Sequence, residues 1–167
     1  MDKDSLMYGM DVLDEINGAL EPIGLTVRKL DAEETQGLPV GLIVPTGENP
    51  SFSVTCHVLP THKGQVSTTF VQLFLPLTEP CPEKLEEMER FAKECNSRFL
   101  LGTLFVYQDC LSMKYVTALE PTIALEGAHF QAAVFAFLQQ AEEIGKKAQA
   151  LCRGEITLEQ ALGESAQ

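Results

Sequence analysis

Four extended segments follow one another between residues 25 and 75 with only short connections, and this spacing narrows the available folds most. They are Leu25–Leu30, Leu38–Val44, Ser51–Leu59 and Val66–Leu75. The intervening stretches are turn chemistry: an acidic loop at Asp31–Gly37, then Pro45–Pro50, then Pro60–Gln65. Parallel neighbours need a crossover of roughly a dozen residues or more, so strands this close must pair antiparallel. The third segment alternates cleanly. Phe52, Val54, Cys56 and Val58 share one side, and Ser53, Thr55 and His57 the other.

Helical periodicity surrounds this meander. Leu6, Met10, Leu13, Ile16 and Leu20 recur at three- and four-residue steps, predicting a helix over Asp4–Glu21 capped by Asp4 or Ser5 and ended by Pro22 and Gly24. Pro82 suits the first turn of a middle helix running to Asn96, with Leu85, Met88, Ala92 and Cys95 as its buried stripe. Phe99–Tyr107 and Leu111–Leu119 flank Gln108-Asp109-Cys110 as a tight hairpin. A long helix is predicted over Gly127–Cys152, with Phe130, Val134, Phe137, Ala141, Ile144, Ala148 and Leu151 forming one seam. Gly154 stops it, and Thr157-Leu158-Glu159-Gln160 fits a capping box opening a short helix within a 154–167 extension. The expectation is one α+β domain over 1–167: an antiparallel β-sheet meander with N-terminal, middle and long C-terminal helices.

Charge limits the function classes. The formal net charge is -12 and the pI about 4.6, which disfavours nucleic acid and anionic membrane surfaces. The longest apolar run, Phe99–Tyr107, is too short to span a bilayer. The opening Met1-Asp2-Lys3-Asp4 lacks the basic and apolar regions of a secretory signal. Five cysteines at wide, irregular spacing fit reduced thiols, so a cytoplasmic location is expected.

The chemistry-bearing residues resolve poorly into a site. Val54–His62 holds Cys56, His57 and His62, but strand alternation sends Cys56 and His57 to opposite faces. They cannot form a nucleophile–base pair, which needs contact at about 3 Å. His129 sits at a helix start, and the carboxylates Glu33-Glu34, Glu86-Glu87-Glu89 and Glu142-Glu143 read as solvated faces. Gly37-Leu38-Pro39-Val40-Gly41 matches neither a dinucleotide fingerprint nor a phosphate loop, and no Gly-x-Ser-x-Gly elbow occurs. No catalytic residue, metal ligand or cofactor site is expected. The enzymatic alternative is a site assembled from distant residues, with His57, His62 and Cys110 as contributors.

The fourth segment is apolar on both sides. Val71, Leu73 and Leu75 point one way, and Phe70 and Phe74 the other, with Gln72 between them. Either this strand is covered on both faces, or one face is a binding or dimer surface. The second option makes Phe70 and Phe74, together with Phe137, the candidate protein-binding residues.

The order of elements resembles the type III secretion chaperone-like fold, and within it the YbjN-type sensory transduction regulators. The second half carries the likeness, in Leu104-Phe105-Val106-Tyr107-Gln108-Asp109-Cys110-Leu111-Ser112-Met113 and from Leu125-Glu126-Gly127-Ala128-His129-Phe130 into Phe137–Glu143. The resemblance implies a small, acidic, cytoplasmic homodimer that binds another polypeptide, as a chaperone-like or regulatory module. A secretion-effector chaperone is the related alternative. The four extended segments before the middle helix depart from the three of the secretion chaperones and favour the YbjN-type reading. The acidic field favours a basic client.

Overall fold

The computed structural model describes residues 3–31, 33–45, 52–59, 68–98, 101–119 and 127–163. Helix α1 (Lys3–Leu20) leads into strands β1 (Leu25–Lys29), β2 (Val40–Pro45), β3 (Phe52–Leu59) and β4 (Thr68–Pro76). A 3-10 turn (Pro82–Lys84) opens α2 (Leu85–Asn96), followed by β5 (Thr103–Tyr107), β6 (Cys110–Leu119), α3 (Gly127–Cys152) and α4 (Leu158–Leu162). The strands form a six-stranded antiparallel sheet in the order β1-β2-β3-β4-β6-β5, so the fold is α+β as expected. The first four strands are the anticipated meander, and β6 enters between β4 and β5. Contacts divide the chain into two compact units, 1–73 with 116–134 and 74–115 with 135–167; β4, β6 and α3 contribute to both.

In the first unit, Leu13, Ile16 and Leu20 of α1 are fully buried, as their spacing predicts. Leu6 and Met10 are only half-buried, whereas Val12 joins the core. The helix begins at Lys3, so Asp4 and Ser5 lie inside its first turn and not ahead of it. Strand alternation buries Phe52, Val54, Cys56 and Val58 and leaves Ser53, Thr55 and His57 half-buried. Two glycines permit close packing here. A side chain on Gly9 would collide with Pro39, and one on Gly41 with Val27 and Val54. Glycine's cost to a helix or strand interior is offset by that approach.

In the second unit, α2 buries Met88 and Ala92 as expected. It also buries Phe91, which completes the stripe one residue before Ala92. The hairpin is tighter than predicted. Tyr107 pairs with Cys110, so Cys110 belongs to the strand and only Gln108 and Asp109 form the turn. Both turn residues have positive φ, 49° and 60°, the paired left-handed geometry whose twist matches that of antiparallel strands. The α4 capping box forms in both directions. Gln160 N donates to Thr157 Oγ1 at 3.3 Å, and Thr157 N donates to Gln160 Oε1 at 2.8 Å.

Helix α3 buries its whole predicted seam, from Phe130 to Leu151. Phe137 is at 0% exposure within that seam. It serves the core and is not the surface binding residue that the sequence suggests. The ion pairs Lys146–Glu142, at 2.6 Å, and Lys147–Glu143, at 3.8 Å, line the wet face, where the sequence placed solvated carboxylates. They are solvent-exposed and contribute little to stability.

Each edge strand of the sheet is capped by an asparagine from the helix preceding it. In the first unit, Val27 N of β1 donates to Asn17 Oδ1 at 2.7 Å. In the second, Leu104 N of β5 donates to Asn96 Oδ1 at 2.8 Å, and Leu104 O accepts from Asn96 Nδ2 at 2.9 Å. These backbone groups point away from the neighbouring strand and would otherwise be available to pair with another chain.

Candidate protein-binding face

The register of the β5–β6 hairpin determines which side chains meet on the sheet face of the second unit. Thr103 pairs with Lys114, Phe105 with Ser112 and Tyr107 with Cys110. The alternate pairs, Leu104 with Met113 and Val106 with Leu111, point to the opposite face, where Leu104, Leu111 and Met113 are buried. Phe105, Tyr107, Ser112 and Lys114 therefore share the outer face.

Phe74 of β4 joins them. Its ring centroid lies 6.0 Å from that of Phe105 and 6.1 Å from that of Tyr107, the latter edge-on at 88°. Both separations fall in the range favoured by aromatic quadrupoles. Lys114 Nζ sits 5.1 Å from the Phe105 centroid, a cation–π contact. Phe74 and Phe105 are half-buried and Tyr107 is 51% exposed. Beneath this layer, Ser112 is 1% exposed and its Oγ finds no hydrogen-bond partner.

The outer face is distinct electrostatically. Among the described residues, no Asp or Glu lies in a strand. The described carboxylates lie in helices and connections, while Arg28, Lys29 and Lys114 lie in strands. At the hairpin end, burial pushes the Cys110 thiol upward, and the charges of Glu79 and Asp109 add to the effect.

Phe70 and Phe74 lie on the side of β4 opposite Val71, Leu73 and Leu75, as alternation predicts. Phe70 and Phe74 are half-buried, while Val71, Leu73 and Leu75 are buried. The aromatic partners Phe105 and Tyr107 were missed in the sequence. The two-residue turn would have revealed them, since counting back from Gln108 places both on one side of β5.

Burial dominates the chemistry of two of the described thiols. Cys56 is fully buried, and burial pushes its thiol up to about 12. Cys81 is also raised to about 12, first by burial and then by hydrogen bonds with Cys152 and Glu83. Cys152 Sγ touches Met88 Sδ at 3.4 Å. Thiols held protonated in this way are poor nucleophiles. His57 on β3 and Cys110 on β6 are each half-buried, and His62 lies outside the described residues. Among the described residues, no group of three or more His, Cys, Asp or Glu is arranged to hold a metal ion.

No family model, curated protein or solved structure matches this chain. Among the described residues, no helix is long and apolar enough to cross a membrane.

Proposed function

We propose that this chain is a non-enzymatic polypeptide-binding module whose contact surface is the outer face of its sheet. One observation carries the reading: three aromatic side chains, Phe74, Phe105 and Tyr107, are gathered on a face free of strand carboxylates, with Tyr107 half out of contact with the protein. A face whose only task is to meet water would be polar, as antiparallel sheets covered on one side ordinarily are. Tyrosine and phenylalanine supply large contact area with few rotatable bonds, the composition of binding hot spots.

The face accepts apolar side chains of an extended or partly folded partner, with Lys114 and the Tyr107 hydroxyl as polar contacts at its margin. The acidic helices around it steer a client carrying basic residues beside its apolar ones. The capped edge strands turn the partner away from strand addition and toward the face. The resemblance to the type III secretion chaperone-like fold and to YbjN-type regulators supports a chaperone-like or regulatory role of the same kind, in a reducing cytoplasm where the free cysteines remain thiols.

The test is co-purification from the native host, followed by mass spectrometry, with wild type and with Phe74→Asp combined with Tyr107→Asp. The reading predicts a polypeptide that copurifies with wild type and is lost from the double variant while the fold is retained. Equal recovery with both proteins contradicts it.

A further inference from the structure

Three sulfur atoms meet within the second unit. Cys81 precedes the 3-10 turn that opens α2, Met88 lies in the first turn of α2, and Cys152 is the last residue of α3. Cys152 Sγ lies 3.4 Å from Met88 Sδ, and the Cys81 and Cys152 side chains share a hydrogen bond. Cys81 Sγ is also 3.6 Å from the Cys152 carbonyl oxygen. The backbone fixes Cys81 from two sides. Its N–H donates to Asp109 O at 2.8 Å, and its carbonyl accepts from Lys84 N at 3.1 Å. Both cysteines are free thiols. Cys81 and Met88 are buried, whereas Cys152 is half-buried and keeps one side of the group open to solvent.

We propose that Cys81, Cys152 and Met88 form a binding site for a soft monovalent cation, Cu(I), with two thiolates and one thioether as its ligands. The donor set selects the metal. Thiolate and thioether sulfur suit Cu(I), whereas magnesium, calcium and manganese take oxygen donors. Structural zinc takes four ligands drawn from cysteine, histidine and carboxylate. Among the described residues, no three of those side chains are arranged around one point. The third donor here is a thioether, outside the zinc set.

Charge and protons balance on binding. Each thiol releases its proton to solvent, and the cation offsets one of the two thiolate charges. Cys81 Sγ donates to Glu83 Oε1 at 3.4 Å, so a bare thiolate at this position would face a carboxylate. The same carboxylate attracts a cation held by the thiolate. Sulfur atoms in contact must part slightly to admit the ion. Met88 is unbranched with three rotatable bonds, and Cys152 ends its helix, so both can yield. The inference goes beyond the polypeptide-binding reading and uses none of the residues of the aromatic face.

Anaerobic competition against a colorimetric Cu(I) chelator tests it on the full, reduced chain. The proteins are wild type, Cys81→Ala, Cys152→Ala, Met88→Leu and, as a control on a half-buried thiol elsewhere in α2, Cys95→Ala. Wild type and Cys95→Ala should hold about one Cu(I) per chain against the chelator. Cys81→Ala and Cys152→Ala should each weaken binding by at least ~100-fold, and Met88→Leu by ~10-fold, with circular dichroism unchanged. Met88→Leu retains the core volume, so the test does not depend on the cysteine variants folding. A second readout is nuclear magnetic resonance of isotope-labelled methionine methyl groups, with the Met88 signal assigned by its absence from Met88→Leu. On addition of Cu(I) to wild type, that signal should shift more than those of the other methionines. Wild type that yields its Cu(I) as readily as Cys81→Ala and Cys152→Ala, equal affinity in Met88→Leu and wild type, or an unmoved Met88 signal would overturn the proposal.

Discussion

Asn96 meets Leu104 as a neighbouring strand would, accepting from its N–H at 2.8 Å and donating to its carbonyl at 2.9 Å through one carboxamide. The pairing closes the β5 edge at the point where its backbone faces outward. Replacing Asn96 with Ala leaves both groups without their partner. Unsatisfied, partly buried backbone groups cost about 1–3 kcal/mol. Urea unfolding should show a loss of that size, and static light scattering should show increased association through the opened edge. Asn96→Asp retains the acceptor, loses the donor and should fall between the two.

Among the described residues, two buried hydroxyls lack partners: Thr69 Oγ1, at 0% exposure, and Ser112 Oγ, at 1%. Removing an unsatisfied buried polar atom while retaining its volume removes a desolvation penalty. Thr69→Val and Ser112→Ala should therefore each stabilise the protein by about 1 kcal/mol, read as a higher urea midpoint at unchanged slope. Ser112→Ala should also leave the aromatic layer above it intact.

Phe137 lies in the core and not on the binding face. Truncation to Ala should cost about 3–5 kcal/mol in chemical denaturation, the range for a buried aromatic. Phe74→Ala, at a half-buried position, should cost clearly less. This contrast separates the core phenylalanine from the surface one.

Alkaline pH should destabilise the fold through Cys56. Burial raises its thiol from 9.0 to about 12, so the folded state retains the proton after the unfolded state has released it. The contribution is complete below pH 9 and is lost as pH rises from about 9 toward about 12. Cys81 is shifted in the same direction by burial, so it adds to the decline in the same window. Unfolding free energies measured from pH 8 to pH 11 should fall in wild type and fall less steeply in Cys56→Ala. An identical pH dependence in the two proteins would refute this assignment.

The elements were legible in the sequence because their signals are local. The period-two pattern of Phe52–Val58 and the 4-3 seam of α3 each report a buried side through spacing alone, and both are buried as predicted. The Thr157–Gln160 box was legible for the same reason, since its two hydrogen bonds join residues three apart. The aromatic layer was not. It depends on β6 entering between β4 and β5, a pairing set by tertiary contacts that leave no periodic mark. Phe74 was found because its own strand is apolar on both faces, whereas Phe105 and Tyr107 needed the hairpin register. Phe137 was misplaced because seam spacing shows that a side chain is apolar, not whether a neighbour or a partner covers it.

Photocrosslinking at the aromatic face tests the central claim most directly. A photoreactive phenylalanine analogue placed at Tyr107, and as control at the exposed Glu89 of α2, would be irradiated in the native host. The account predicts adducts between position 107 and a different polypeptide, abolished by Phe74→Asp and absent at position 89. Adduct yields at position 107 no greater than at position 89 would contradict a polypeptide-binding role for this face.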